Sequence, residues 1–284
     1  MKRTAVLFSS HLMGKTILAR LNKLREEVPP NHDVFFYYDE TRLSQAHAAP
    51  IAPALGHGSH DWHQYKRACH YFPGKIPGNE DGMLLSAFHR LPRYDNYWYL
   101  EYDVVYSGHW GGFFADFVDN SADMLSTSIA RHDQIPEWPL WKSLELPDGI
   151  VLPRQEWLRS FNPILRLSRA ALEILAEEYR QNAWAGHSEG VMPTVLAYRG
   201  LQIEDFGGEG EFVPDGRENR YYRNNRLDKS LNPGTFVFRP SMEAPGAEPN
   251  VLWHPVKDAS HDTWDQELKV PTSFFKSLRD FFRR

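Results

Sequence analysis

The first forty residues alternate between strand-like and helix-like patterns. Thr4–Phe8 is a continuous apolar run, Lys15–Arg25 carries apolar side chains at helical spacing, and Asp33–Tyr38 is a second run suited to a strand. Two strands joined through a helix run parallel, because the crossover returns the chain to the same end of the sheet. The sequence therefore predicts an α/β fold whose central sheet begins parallel.

The remaining periodic segments extend this pattern. The predicted helices are Glu80–Arg90, Arg169–Gln181 with Ser168 as N-cap, Val191–Gly200 and Ser273–Arg284, and the predicted strands are Tyr97–Val105 and Ala122–Ile129. Residues 41–79 and 205–250 show little periodicity, so we expect irregular insertions there, the second of them at the surface. Residues 1–284 are predicted to form a single domain, a mixed and mainly parallel sheet flanked by helices.

Composition and charge exclude several classes of protein. The 284 residues are 42% hydrophobic and 24% charged, as in ordinary globular proteins, and the net charge of −5 argues against binding nucleic acid. The single cysteine, Cys69, forms no internal disulfide and favours a reducing compartment. The first apolar run is too short for a signal peptide, and no run approaches the roughly 20 apolar residues of a membrane span. We expect a cytoplasmic protein.

Two acidic residues lie inside the aromatic run at residues 97–112. Glu101 and Asp103 are two positions apart, so in an extended strand both side chains point to the same face. Two carboxylates in an apolar setting are costly unless they are neutralised, and a divalent cation is the usual partner. Strand carboxyl ends are where open α/β sheets bind ligands. The pair therefore predicts a metal–diphosphate site, although solvated acids at a strand end remain the simpler alternative.

Four short motifs carry a family resemblance. They are Trp98–Val104, Ser160–Pro163, Gly186–Glu189 and Trp253–Pro255, which occur in this order across residues 98–255. With them the chain resembles nucleotide-sugar glycosyltransferases of the GT-A fold, and among these a poorly characterised family with the same four segments. The acid pair is Glu-x-Asp here, whereas Asp-x-Asp is commoner in the fold.

The resemblance implies a cation site and a donor site. Asp103 would be a direct ligand of Mn²⁺ or Mg²⁺ held against the donor diphosphate, and Glu101 would act on the metal through water or bind the donor ribose. His254 would complete the metal site, and Lys257 would reach a phosphate. The alternatives are a structural histidine and a solvated lysine.

The donor base and ribose are expected over the ends of the first two strands and the next helix. The candidate residues for nucleotide-sugar binding there are Ser9, His11, Asp39 and Asp81. Asp39 is equally suited to a turn that precedes Glu40. In this interpretation, residues 1–120 form the nucleotide-binding half.

Residues 121–270 would form the acceptor-side half. The resemblance places Glu189 there as the general base that deprotonates the acceptor hydroxyl in an inverting transfer. A helix cap is the alternative role for Glu189, and a retaining mechanism becomes more attractive if it is not the base.

The implied partners are a UDP- or GDP-sugar donor and a saccharide or lipid-linked acceptor, as in the synthesis of surface polysaccharides or glycolipids. The amphipathic helix at 273–284 is suited either to docking on the protein or to peripheral contact with the inner membrane face. The arginine-rich residues 217–229 are interpreted as a solvated loop, or as one that closes over an anionic group.

Two other interpretations stay open. The first is a non-catalytic nucleotide-sugar or carbohydrate-binding module of the same fold. Gly14-Lys15-Thr16 resembles part of a P-loop of kinases or sulfotransferases, but Ser9 replaces its leading glycine. His57, His60, His63 and His70 suggest a zinc site, but their glycine-rich setting and the absence of neighbouring cysteines favour a solvated loop.

Overall fold

The computed structural model describes residues 2–58, 64–70 and 78–257. The predicted helix at 273–284 and two of the four loop histidines, His60 and His63, lie outside these residues. The helices are α1 (Lys15–Glu27), α2 (Gln45–Ala48), α3 (Glu80–Arg90), α4 (Trp110–Ala115), α5 (Arg169–Gln181) and α6 (Ser188–Tyr198). The strands are β1 (Thr4–Ser10), β2 (His32–Asp39), β3 (Ala54–His57), β4 (Asn96–Glu101), β5 (Val105–Tyr106), β6 (Met124–Arg131), β7 (Leu158–Ser168), β8 (Ile203–Asp205) and β9 (Leu252–Trp253).

Seven strands form the central sheet in the order β3-β2-β1-β4-β7-β6-β8. Strands β3, β2, β1 and β4 are parallel, β7 is antiparallel to both of its neighbours, and β8 is parallel to β6. Within the described residues, β7 alone runs against the other strands of this sheet. The predicted α/β class, with a mixed and mainly parallel sheet flanked by helices, is confirmed.

Apolar cores cover both faces of the sheet. Alternate residues of β1 enter opposite cores, with Leu7 packed beneath α3, α5 and α6, and Phe8 packed with α1 and α4. Every residue of β1 is buried, as expected for a strand with helices on both sides. The parallel strands therefore all end at one edge, where polar side chains can reach solvent or a ligand.

Two strand predictions were wrong. The acid-bearing strand ends at Glu101 and does not continue to Val105, because the chain turns at Tyr102 and Asp103. The short strand β3 lies inside the segment predicted to be irregular. Asp103 therefore reaches the edge from a turn, and simple strand alternation does not explain its proximity to Glu101.

The segment at 205–250 is irregular, as predicted, but it is not merely a surface loop. Phe206, Tyr222 and Phe236 are fully buried in the same core as α1 and α4. By packing there, the segment returns the chain to the sheet edge and allows β9 to pair with β5, with Trp253 opposite Val105. No helix among the described residues has the length and apolarity of a transmembrane segment.

Candidate active site

A turn after β4 and the strand pair β5–β9 bring three side chains together. The amide of Tyr102 donates to the Ser9 carbonyl at 2.9 Å, and the amide of Val256 donates to the Asp103 carbonyl at 2.8 Å. His254 Nε2 then lies 3.8 Å from Glu101 Oε2 and 3.6 Å from Asp103 Oδ1. Residues about 150 positions apart in sequence thus share one pocket edge.

These three side chains fit a divalent cation. Their ligand atoms all lie within 4.8 Å of one another. An octahedral ion with bonds of about 2.1 Å needs neighbouring ligands about 3.0 Å apart and opposite ligands about 4.2 Å apart. Asp103 is buried, and its Oδ1 accepts no hydrogen bond from the described residues, which is rare for a buried carboxylate. An ion would satisfy that oxygen.

The hydrogen bond of His254 orients the ring toward the acids. Nδ1 lies 2.8 Å from the carbonyl oxygen of Val237, which can only accept, so Nδ1 carries a proton and Nε2 faces the carboxylates. Burial lowers the pKa of His254, but the carboxylates of Asp103 and Glu101 outweigh burial and raise it above the usual value. The arrangement therefore favours a positive charge between the acids, carried by a proton or by a metal.

Lys257 adds a second cation at this edge. Its Nζ lies 3.6 Å from Asp103 Oδ2 and 5.9 Å from the centre of the Tyr102 ring. The Lys257 side chain is 32% exposed, so it is neither fully solvated nor buried. Phosphate binding by Lys257 stays a prediction.

Glu189 lies in the first turn of α6 and is not the cap of that helix. The N-cap is His187, whose Nδ1 accepts a hydrogen bond from the Glu189 amide at 3.3 Å. Because His187 takes the capping role, the alternative role for Glu189 is wrong. The Glu189 side chain is only 17% exposed.

The surroundings of Glu189 suit a proton acceptor. Burial first, and then the charge of Glu80, raise the pKa of Glu189 to about 8, whereas Arg159 and the amide of Asn162 act in the opposite sense. A carboxyl with such a pKa is more basic than usual and is partly ionised near neutral pH. Glu101 also contributes to the raised pKa, so its charge is felt at Glu189.

Glu80 is a site residue that sequence reasoning missed. It lies in the first turn of α3, accepts a hydrogen bond from the Ser188 hydroxyl and accepts another from the Gly78 amide at 3.1 Å. Burial raises the pKa of Glu80 to about 7, although the Ser188 hydrogen bond opposes the shift. Glu80 and Asp81 are adjacent acids at the predicted start of a helix, and Asp81 was chosen as the site residue instead of Glu80.

Asp81 is a structural residue, which corrects its assignment to nucleotide-sugar binding. It is completely buried, and its Oδ2 accepts hydrogen bonds from Arg67 Nε at 2.9 Å and Tyr179 Oη at 2.7 Å. Arg67 also donates to the carbonyls of Gly78 and Gly186, both at 2.9 Å. This bonding holds the start of α3 against the turn that precedes α6, and so positions Glu80 and Glu189.

The first half of β7 brings further polar groups to the site. Ser160 Oγ and Asn162 Nδ2 are buried and have no hydrogen-bond partner among the described residues, and the same holds for Arg159 Nε. Buried polar atoms are nearly always paired, so such atoms on the strand whose Asn162 amide bonds to Glu189 indicate contacts that a ligand would complete. The Ser-Phe-Asn-Pro motif marked this strand, but none of its side chains was chosen as a site residue.

The remaining donor-side candidates lie at the same sheet edge. Ser9 is buried and hydrogen-bonds with Tyr99, while the His11 ring packs edge-on against Tyr102 at 5.2 Å. Asp39 Oδ1 accepts from the Thr41 amide at 2.8 Å and from its hydroxyl at 2.6 Å, so Asp39 does form the turn that was the alternative. Donor binding by these residues stays a prediction.

The arginines at 217–226 form local contacts. Arg217 pairs with Glu204, Arg220 pairs with Asp116, Arg223 pairs with Glu248, and Arg226 donates to Gln134. Because these partners neutralise or occupy each guanidinium, the four arginines do not form a free cationic lid. The zinc alternative finds little support in the described part of the loop, where His57 is buried against Tyr37 and His70 lies at the surface beside Glu145.

Comparisons with known proteins find matches among solved structures alone. No protein-family model matches the chain, and no curated protein matches it. Among solved structures, the chain is similar to the galactosyltransferase LgtC in complex with donor and acceptor sugar analogues, with 11% identity, a TM-score of 0.38, and coverage of 72% of this chain and 73% of that chain.

Two further solved structures show similarity of the same degree. The mannosyltransferase PcManGT from Pyrobaculum calidifontis, in complex with GDP-Man and Mn²⁺, is 11% identical, with a TM-score of 0.41 and coverage of 76% and 59% of the two chains. A putative glucose-1-phosphate thymidylyltransferase from Bacillus anthracis is 9% identical, with a TM-score of 0.39 and coverage of 73% and 87%. With TM-scores below 0.5, these similarities assign neither a family nor an activity to the chain.

Proposed function

We propose that the protein is a metal-dependent glycosyltransferase that moves a sugar from a nucleoside-diphosphate donor to a hydroxyl acceptor. The observation that carries the proposal is the meeting of Glu101, Asp103 and His254 at the carboxyl edge of the parallel strands, with Asp103 Oδ1 buried and lacking a hydrogen-bond partner among the described residues. Two carboxylates and one imidazole are ligands that suit Mn²⁺ or Mg²⁺.

The reaction is a single displacement. The acceptor oxygen attacks the anomeric carbon as the bond from that carbon to the diphosphate breaks, and Glu189 takes the hydroxyl proton. Glu101, Asp103 and His254 would hold a divalent cation, which would supply the positive charge that offsets the charge developing on the leaving diphosphate. Lys257 supports the same charge from beside Asp103, and attack from the opposite face inverts the anomeric centre.

The roles of the other polar groups follow from their positions. Ser160 and Asn162 supply unpaired side-chain donors that suit the hydroxyls of the transferred sugar. Arg67 holds the first turn of α6 in place through Gly186, so that Glu189 stays aligned on the acceptor. The donor is a UDP- or GDP-sugar, and the acceptor is a saccharide or a lipid-linked sugar.

The test is a transfer and donor-hydrolysis assay with a panel of UDP- and GDP-sugars in the presence of Mn²⁺. We expect the wild type to turn over at least one donor, and Glu189→Gln to lower kcat by about 10²- to 10⁴-fold with little change in the KM for the donor. Glu177→Gln, on the exposed face of α5, is the control and should be fully active. Metal-dependent binding without any hydrolysis or transfer would instead identify a binding module.

A further inference from the structure

A second concave site lies beside the proposed base. A cavity of about 540 Å³ is lined by three tryptophans, Trp138, Trp141 and Trp157, and by three cationic side chains, Lys142, Arg154 and Lys229. This volume is in the range that holds one or two sugar rings or another small molecule. The metal-site residues do not line the cavity, and the proposed reaction leaves it without a role.

The indoles form a fixed apolar wall. Trp141 Nε1 donates to the Ile135 carbonyl at 2.9 Å, and Trp157 Nε1 donates to the Leu152 carbonyl at 3.3 Å. The indole N–H of Trp138 has no acceptor among the described residues, so it is available to a ligand. Amphipathic rings that combine an apolar body with a free N–H suit the apolar faces and hydroxyls of a saccharide.

The rim of the cavity is positively charged. Lys142, Arg154 and Lys229 are exposed and form no ion pair with any described residue, whereas Glu137 is the one acid among the lining residues. The Arg154 guanidinium lies 5.5 Å from the centre of the Trp157 ring, which orients it while leaving its N–H groups for a ligand. Three cations against one anion favour a negatively charged ligand.

A single indole separates this cavity from the proposed base. Trp138 lies against Gly190, next to Glu189, since a Cβ atom on Gly190 would be 3.5 Å from Trp138 Cζ3. Arg159, whose charge acts on Glu189, lies 5.6 Å from the centre of the Trp138 ring. The cavity and Glu189 therefore lie on opposite sides of the Trp138 ring.

We infer that this cavity is a subsite for the acceptor that binds a part of it beyond the reacting hydroxyl, and that this part is an anionic saccharide, a sugar bearing a carboxylate or a phosphate. The inference rests on the proposed function and adds the chemical class of the acceptor to it. The tryptophans hold the sugar ring, and Arg154 with Lys142 and Lys229 binds the anionic substituent.

The test is to measure dissociation constants by ligand-observed NMR for D-glucuronate, glucose 6-phosphate and neutral methyl glucoside with the full chain. We expect at least one anionic sugar to bind about tenfold more tightly than the neutral one. Arg154→Gln should remove that preference and leave the affinity for UDP or GDP with Mn²⁺ unchanged. Arg93→Gln, an exposed arginine near the amino end of β4, is the matched control and should change neither affinity.

The outcomes separate the two proposals. If glucuronate binds more tightly than methyl glucoside, the anionic group of the acceptor is a carboxylate. If glucose 6-phosphate does, that group is a phosphate. Equal affinity for all three sugars, or an unchanged preference for the anionic sugar in Arg154→Gln, overturns the inference. If the protein still binds a nucleotide in an Mn²⁺-dependent way, the proposed function stands. Anionic sugar binding in a protein that binds no nucleotide with Mn²⁺ overturns the acceptor role and the proposed function together.

Discussion

Glu189 and Glu80 lie in the first turns of two helices that Arg67 holds together. The charge of Glu80 contributes to the pKa of about 8 at Glu189, alongside burial and Glu101, while Arg159 opposes it and His187 lies 3.8 Å from the carboxylate. Neither local sequence pattern reveals this proximity, because α3 and α6 are about a hundred residues apart. The site therefore depends on a pair of acids of which the sequence identified only one.

At this scale we predict the effect of Glu80→Gln on pH dependence. A base works unprotonated, so kcat/KM should fall as the pH drops below about 8, the pKa of Glu189. Removing the neighbouring charge lowers that pKa, and the acidic limb of the kcat/KM profile should move to lower pH. Glu26→Gln, on the exposed face of α1, should leave the profile in place. An acidic limb that does not move in Glu80→Gln would show that Glu80 does not act on the base.

Asp81 and Asp103 show why the sequence predicts the roles of some single residues better than those of others. Asp103 was identified because an acid in an aromatic run at a strand end has few structural uses. Asp81 was a weaker candidate, chosen for its position on the helix that follows the first two strands. Its partner Arg67 lies in a segment without periodicity, so nothing in the sequence indicated the buried ion pair that occupies Asp81.

At the scale of elements, the helices were the most predictable part of the fold. The bounds of α3 and α5 match the predicted ones, because apolar spacing, the acidic first turn of α3 and the Ser168 cap of α5 are local signals. The end of β4 was not predicted, since the aromatic run continues through the turn at Tyr102. The pairing of β5 with β9 joins positions about 150 residues apart, which no local pattern encodes. Only the family resemblance placed His254 with the acids.

The buried ion pair between Arg67 and Asp81 predicts a loss of stability rather than of donor binding. Asp81→Ala leaves a buried guanidinium without its charge partner, so we expect the free energy of unfolding to fall by about 3 to 5 kcal/mol. Asp33→Ala removes an acceptor of the exposed Arg3 and of the Tyr94 hydroxyl, and should lower the free energy of unfolding by clearly less. Urea denaturation of both variants measures the difference. Equal losses in the two variants would contradict the structural role of Asp81.

At the scale of the whole molecule, one edge of the sheet collects the groups that the proposed reaction needs. The parallel strands end there at Ser10, Asp39, His57 and Glu101, and β7 enters from the same side because it runs the opposite way. The strand–helix–strand pattern at the start of the chain predicts the class of the sheet. It does not predict the direction of β7, because an apolar run is the same in a parallel and an antiparallel strand. The three possible metal ligands and the residues that line the cationic cavity also come from distant parts of the chain, and only tertiary packing brings them together.

The central claim is that a divalent cation at Asp103 and His254 holds a nucleoside diphosphate. The most direct measurement is calorimetric titration of UDP and GDP into the wild type and Asp103→Asn, each with Mn²⁺ and with EDTA, after circular dichroism has shown that the variant is folded. We predict binding of at least one nucleotide to the wild type that requires Mn²⁺, and a loss of at least about tenfold in affinity in Asp103→Asn. Nucleotide binding that is equal in EDTA, or equal in Asp103→Asn, would contradict the account.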